Sequence, residues 1–198
     1  MMNSTKVLPE GYIQAGQVNL KKNKGLAILL NIFAFFVSIF SFILLSSFAA
    51  MLRPELMNTS ETISIGALVG LALVVVLLLT IHELIHGIFF WMFTHSKPVF
   101  AIRMFYAYAG APDWYIPVRQ FLWVAAAPLV IIDAVGLLLI LVVPQSWIIY
   151  IICLVAFHTG GSIGDLLVLV RLIKMPPTSF ANDTGDVMTV YNAQATVS

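Results

Sequence analysis

Four long apolar runs, separated by short polar stretches, organise the chain: 26–52, 63–93, 121–143 and 147–172. Each is long enough to cross a hydrocarbon core, which takes about 20 residues of helix. The second exceeds that length, so it should tilt or project beyond the lipid. Between the second and third runs the pattern changes. Residues 99–108 are rich in β-branched and aromatic side chains, and Gly110-Ala111-Pro112-Asp113 reads as a turn. Two readings follow: an interfacial loop anchored by Tyr106, Tyr108, Trp114 and Tyr115 in the aromatic belt, or a hairpin that dips into the membrane where protein or a cavity shelters its backbone. Pro176-Pro177 stops the fourth helix. The expected fold is an all-α polytopic membrane protein with four transmembrane helices and that hairpin between helices 2 and 3. The expected organisation is a loosely ordered cytoplasmic lead over 1–24, one membrane domain over 25–175, and a short polar tail over 176–198.

Composition supports the membrane reading. Of the 198 residues, 61% are hydrophobic, against about 45–50% in soluble domains. Charge sets the orientation. Lys6, Lys21, Lys22 and Lys24 precede the first span, Lys97, Arg103 and Arg119 lie between the second and third, and Arg171 and Lys174 close the fourth. Only Arg53 falls on the other side, so both termini are expected in the cytoplasm, with the chain in the cell membrane. A net charge of +1 gives no basic surface for nucleic acid. Ser47-Phe48-Ala49 has the look of a signal cleavage site, but the apolar stretch before it is far longer than a signal core of about 7–15 residues. The single cysteine, Cys153, lies inside the fourth span and reads as a packing residue.

The chemistry concentrates in the second span. His82-Glu83-Leu84-Ile85-His86 places two imidazoles on one helix face, four residues apart, with a carboxylate beside them. That is the zinc-peptidase arrangement of two metal ligands and a general base. Charge in so apolar a surrounding is costly and is usually retained for function. Catalytic zinc commonly takes three protein ligands and leaves a position for water. The intramembrane candidates for the third are Asp165, His158 and Asp133. Counting 1.5 Å per residue from the cytoplasmic helix ends, His86 lies about 12 Å inward and Asp165 about 9 Å, against about 20 Å for His158 and about 18 Å for Asp133. Asp165 is therefore the best match in depth. It also closes the run Gly160-Gly161-Ser162-Ile163-Gly164-Asp165, whose glycines admit close approach. His158 and Asp133 share a depth and could pair, and a carboxylate behind a metal-bound imidazole fixes its tautomer. His158, Ser162 and Asp133 are thus candidates to support a ligand or an oxyanion. Glu83 is the candidate base, taking a proton from water that the metal has acidified and passing it to the leaving amine.

With His82-Glu83-Leu84-Ile85-His86-Gly87, Ala127-Pro128 and Gly161-Ser162-Ile163-Gly164-Asp165, the chain resembles the zincin-like membrane peptidases formerly labelled domain of unknown function 3267. The family in turn looks like a compact relative of the site-2 protease class. That resemblance implies zinc held by His82, His86 and Asp165, with Glu83 as base. Here the aspartate stands in a G-D-L context, where the site-2 class has L-D-G. The expected function is a zinc-dependent intramembrane endopeptidase, cleaving a membrane-embedded or juxtamembrane protein substrate near the cytoplasmic face. The alternative is a non-proteolytic membrane protein that binds or transports a divalent metal.

Overall fold

The computed structural model describes residues 2–19, 22–54, 64–102, 107–185 and 187–194. Lys21, Arg103, Tyr106 and Ser198, which figure in the charge, hairpin and tail readings, lie outside them. In chain order the elements are β1 (Tyr12–Asn19), α1 (Lys24–Leu52), α2 (Ile65–Thr94), β2 (Val99–Ile102), β3 (Ala107–Gly110), β4 (Ile116–Pro117), α3 (Val118–Val142), α4 (Gln145–Gly161), α5 (Ile163–Ile173), β5 (Phe180–Asp183) and β6 (Val187–Ala193).

The chain is mostly helical, and α1, α2 and α3 are each long and apolar enough to cross a membrane. Their outward faces carry large apolar side chains, among them Phe33, Phe36 and Phe40 on α1 and Leu73, Val76 and Leu77 on α2. Such surface suits lipid rather than water. The all-α expectation needs correction, because the described residues also form two small antiparallel sheets. A hairpin is present between α2 and α3 as β2 paired with β3, but Gly110 ends the second strand opposite Val99, so the turn expected at Gly110–Asp113 follows the hairpin and does not close it. The second sheet, ordered β1-β6-β5-β4, was not expected. β1, β5 and β6 come from the two terminal segments and β4 from the two residues before α3; the terminal segments are too short and too polar to signal a sheet singly. Each becomes stable only by pairing with the other, from Tyr12 opposite Ala193 to Asn19 opposite Val187.

The fourth apolar run is not one straight helix. It breaks between α4 and α5, and the pair is bent by 44°. Gly160 and Gly161 are poor helix formers. Ser162 Oγ donates to the His158 carbonyl at 3.0 Å, a back-bond that bends helices.

The chain divides into two compact units. One comprises Met1–Ile28, Glu83–Pro128 and Gly164–Ser198 and holds both sheets. Phe90, Ile116, Val118, Phe121, Leu172, Ala181 and Val190 form its core. On β6, Met188 and Val190 point inward while Thr189 does not, the two-residue period of a sheet with one buried face. The other unit comprises Leu29–His82 and Leu129–Ile163. Its core is Leu45, Ala49, Ile140, Ile148, Ile152, Val155 and Ala156. Here Arg53 Nη1 donates to the Val143 carbonyl at 2.7 Å, placing a cation where α3 ends and its carbonyls lack helical partners.

Candidate metal centre

Apart from Gly87, the buried residues of helix α2 form one stripe: His82, His86, Phe90 and Thr94, spaced four residues apart. This is the face on which the sequence pattern sets its two imidazoles. Within the unit that carries the sheets, His86 Nε2 lies 3.3 Å from Asp165 Oδ1. Asp165 stands in the first turn of α5, three residues after the helix break. The break thus sets a carboxylate at a new helix N-terminus, where the dipole favours negative charge.

The line between the two units runs through α2 between His82 and Glu83. His82 is therefore placed relative to His86 by one turn of continuous helix. One ligand atom each from His82, His86 and Asp165 lie within 4.8 Å of one another. Two imidazoles and a carboxylate, converging at that distance in an apolar surrounding, are a donor set that suits zinc. Among the described residues, no other group of three or more His, Cys, Asp and Glu side chains converges so. Asp133 and His158, the other candidates for a third ligand, stand outside it.

The remaining ring nitrogens are engaged. His86 Nδ1 is 2.9 Å from the Val124 carbonyl oxygen, which can only accept, so Nδ1 carries the proton. His82 Nδ1 is 3.0 Å from His158 Nε2. His158 Nδ1 in turn is 2.6 Å from Asp133 Oδ1, and Thr159 Oγ1 donates to Asp133 Oδ2 at 2.8 Å. The sequence reading paired His158 with Asp133 on depth alone, and the pair forms. Ser162 is fully buried, with its hydroxyl turned back to the His158 carbonyl. An oxyanion role for Ser162 finds no support in that direction. His95 follows the end of α2 with φ 51° and closes the helix through its N–H to the Trp91 carbonyl at 2.7 Å, as expected of a helix-terminal residue.

The structure adds a carboxylate that the sequence reading passed over. Asp183 ends β5, and burial pushes its pKa up to about 6. The Gly185 N–H, donated to Asp183 Oδ1 at 2.7 Å, and the nearby His86 act against that rise, while the charges of Asp165 and Glu83 add to it. Asp183 therefore shares the electrostatic surroundings of the metal centre. Its signal was one Asp among Thr, Asn and Gly in a polar tail. Only strand pairing brings it to the site. Gly185 allows the turn that follows: its φ is 84°, and a Cβ there would strike the Tyr108 ring.

A family model matches residues 75–180, more than half of the chain. The chain belongs to the DUF3267 family. Its members are described as putative zincin peptidases. The DUF3267 match spans His82, Glu83, His86, Asp133, His158 and Asp165, and ends before Asp183. Comparisons with curated proteins and with solved structures give no match.

Proposed function

We propose that this DUF3267 chain is a zinc-dependent intramembrane endopeptidase. In this reading it hydrolyses a peptide bond near the cytoplasmic membrane face, in a membrane-embedded or juxtamembrane protein substrate. The observation that carries the reading is the convergence of His82, His86 and Asp165 in a chain whose long helices are apolar enough to lie in a bilayer. The ligand pattern is the one that the site-2 protease resemblance implies.

His82, His86 and Asp165 would hold the metal. Bound there, zinc supplies Lewis acidity, which acidifies water and polarises a carbonyl. Glu83 takes the proton that water gives up and returns it to the leaving amine. The half-buried position of Glu83, beside His82 on α2, suits a carboxylate that must reach both the centre and an incoming peptide. Strand β2 supports delivery of that peptide. Phe100 on β2 lies against Gly87, the residue after His86, so closely that a Cβ at Gly87 would collide with its ring. β2 pairs only with β3 among the described strands. An extended substrate segment could add to its other edge by main-chain hydrogen bonds.

The test is Glu83→Gln. Glutamine keeps size and hydrogen bonding but cannot accept the proton. Zinc content is expected to stay at wild-type level while hydrolysis falls by about 100-fold or more. Fragments of membrane proteins are compared in cells expressing wild type or E83Q, together with turnover of the purified variant. Identical fragments and retained turnover would refute Glu83 as base. Absence of hydrolysis in zinc-loaded wild type would instead favour the divalent-metal carrier.

A further inference from the structure

Zinc takes an imidazole nitrogen only through its lone pair, so each ligand histidine must carry its proton on the other nitrogen. The spacing of H-E-L-I-H does not by itself make that choice. Both motif histidines have Nδ1 engaged, each by a group outside the motif and by a different device.

For His86 the device is Pro128. In an α-helix the carbonyl of residue i accepts from the N–H of residue i+4. Four residues beyond Val124 stands Pro128, inside α3 and fully buried. Proline has no N–H to give. The Val124 carbonyl thus loses its helical donor in an apolar segment, where an unmet carbonyl is costly. His86 Nδ1, at 2.9 Å, supplies the hydrogen bond.

For His82 the device is a two-step relay. Asp133 as carboxylate can only accept, so His158 Nδ1 donates to it. A neutral His158 then has Nε2 as acceptor only. His82 Nδ1 must donate to that nitrogen, which leaves Nε2 as the atom His82 offers a metal. His158 is almost wholly buried, and both oxygens of Asp133 are engaged, by His158 and by Thr159. This relay lies entirely within one compact unit, as the His86–Val124–Pro128 arrangement lies within the other.

We propose that Asp133, His158 and Pro128 are positioning residues that lock both motif histidines as Nδ1–H tautomers and so present two Nε2 lone pairs to the metal. The proposal rests on the assignment of His82 and His86 as ligands. The two devices differ in strength. The His82 relay ends on a carboxylate, so it is charge-assisted, whereas the His86 device is one hydrogen bond to a neutral carbonyl. Losing the His82 relay should therefore matter more.

Detergent-purified full-length protein, labelled with ¹⁵N-histidine, is measured metal-free by NMR to read the tautomer of each ring. Zinc affinity is measured by competition with a chromophoric chelator for wild type, Asp133→Asn and Pro128→Ala. Expected are Nδ1–H signals for His82 and His86 in wild type, and zinc binding about 10–100-fold weaker in D133N. Asparagine keeps the shape and a hydrogen bond, so a mere helix-to-helix latch would survive it. P128A should weaken zinc a few-fold while raising thermal stability, since alanine restores an N–H to Val124. A purely structural proline predicts no such opposition. Nε2–H on either ring in wild type would overturn the proposal, as would wild-type zinc affinity in both variants. The wild-type tautomer reading stands even where a variant does not fold. A wild-type chain that binds no zinc at all is a different result, since it removes the ligand assignment itself.

Discussion

At the scale of single residues, the candidate centre asks for one metal ion per chain, because one donor set converges among the described residues. His82→Ala and His86→Ala should each deplete zinc in detergent-purified protein, as elemental analysis will read. Asp165→Ala should weaken zinc more than Asp133→Ala, since Asp165 stands 3.3 Å from His86 Nε2 while Asp133 acts only through His158. Full occupancy in both histidine variants would remove the site. Asp183 makes a separate prediction, about pH. Folding raises its pKa from 3.8 to about 6, so the native state favours the protonated carboxyl. The stabilising contribution is complete below pH 3.8 and is lost as pH rises through about 6. Chelator-treated wild type should lose melting temperature over that window, and Asp183→Asn should lose less. Equal slopes for the two proteins would show that Asp183 does not carry this pH dependence.

At the scale of elements, small residues govern how closely helices meet. A Cβ at Gly160 on α4 would run into Ser38 Oγ and lie 2.5 Å from the Ala34 carbonyl oxygen of α1. A backbone atom cannot swing aside as a side-chain tip can. Gly160→Ala should therefore cost about 1–3 kcal/mol by overpacking. At Gly161 a Cβ meets nothing within 4 Å, so Gly161→Ala serves as the control and should leave the melting temperature nearly unchanged. Alanine favours a helix over glycine at both positions, so equal changes in the two variants would mean that the Cβ clash at Gly160 carries no cost. The same glycine-rich run opens the break that starts α5 and gives Asp165 its place in a first turn. In sequence this run reads as a packing seam or a ligand setting. In the structure it helps to hold α1 close and to end α4.

At the scale of the whole molecule, β1 and β6 impose a parity on the membrane crossings. Strands that pair must lie on the same side of the bilayer, and these come from opposite ends of the chain. Three crossings would separate them. The expectation is that the bent pair α4–α5 completes a fourth, as the four-span reading has it. Reporter fusions ahead of β1 and after β6 should report one compartment, and nine of the ten Lys and Arg residues argue that it is the cytoplasm. Reporters in opposite compartments would break both the strand pairing and the four-span plan.

What the sequence determined by itself is what short-range pattern encodes. The apolar runs, the helical spacing of His82 and His86, the hairpin residues near Gly110 and the stop at Pro176-Pro177 each follow from residues close in the chain. Family membership belongs with these, since His82-Glu83-Leu84-Ile85-His86 and Gly164-Asp165 are local words. The pairing of His158 with Asp133 was also within reach, because depth along a helix is a linear count. Tertiary structure decided the rest. The sheet that joins both chain ends carries no local signature, as β1 finds its partner β6 some 170 residues away. The same pairing carries Asp183 to the metal centre. The carbonyl that orients His86 is exposed by a proline on another helix, and the proton on His82 is settled by two side chains from α3 and α4. Hydrogen-bond direction depends on which groups meet, and that depends on packing between elements rather than on spacing within one.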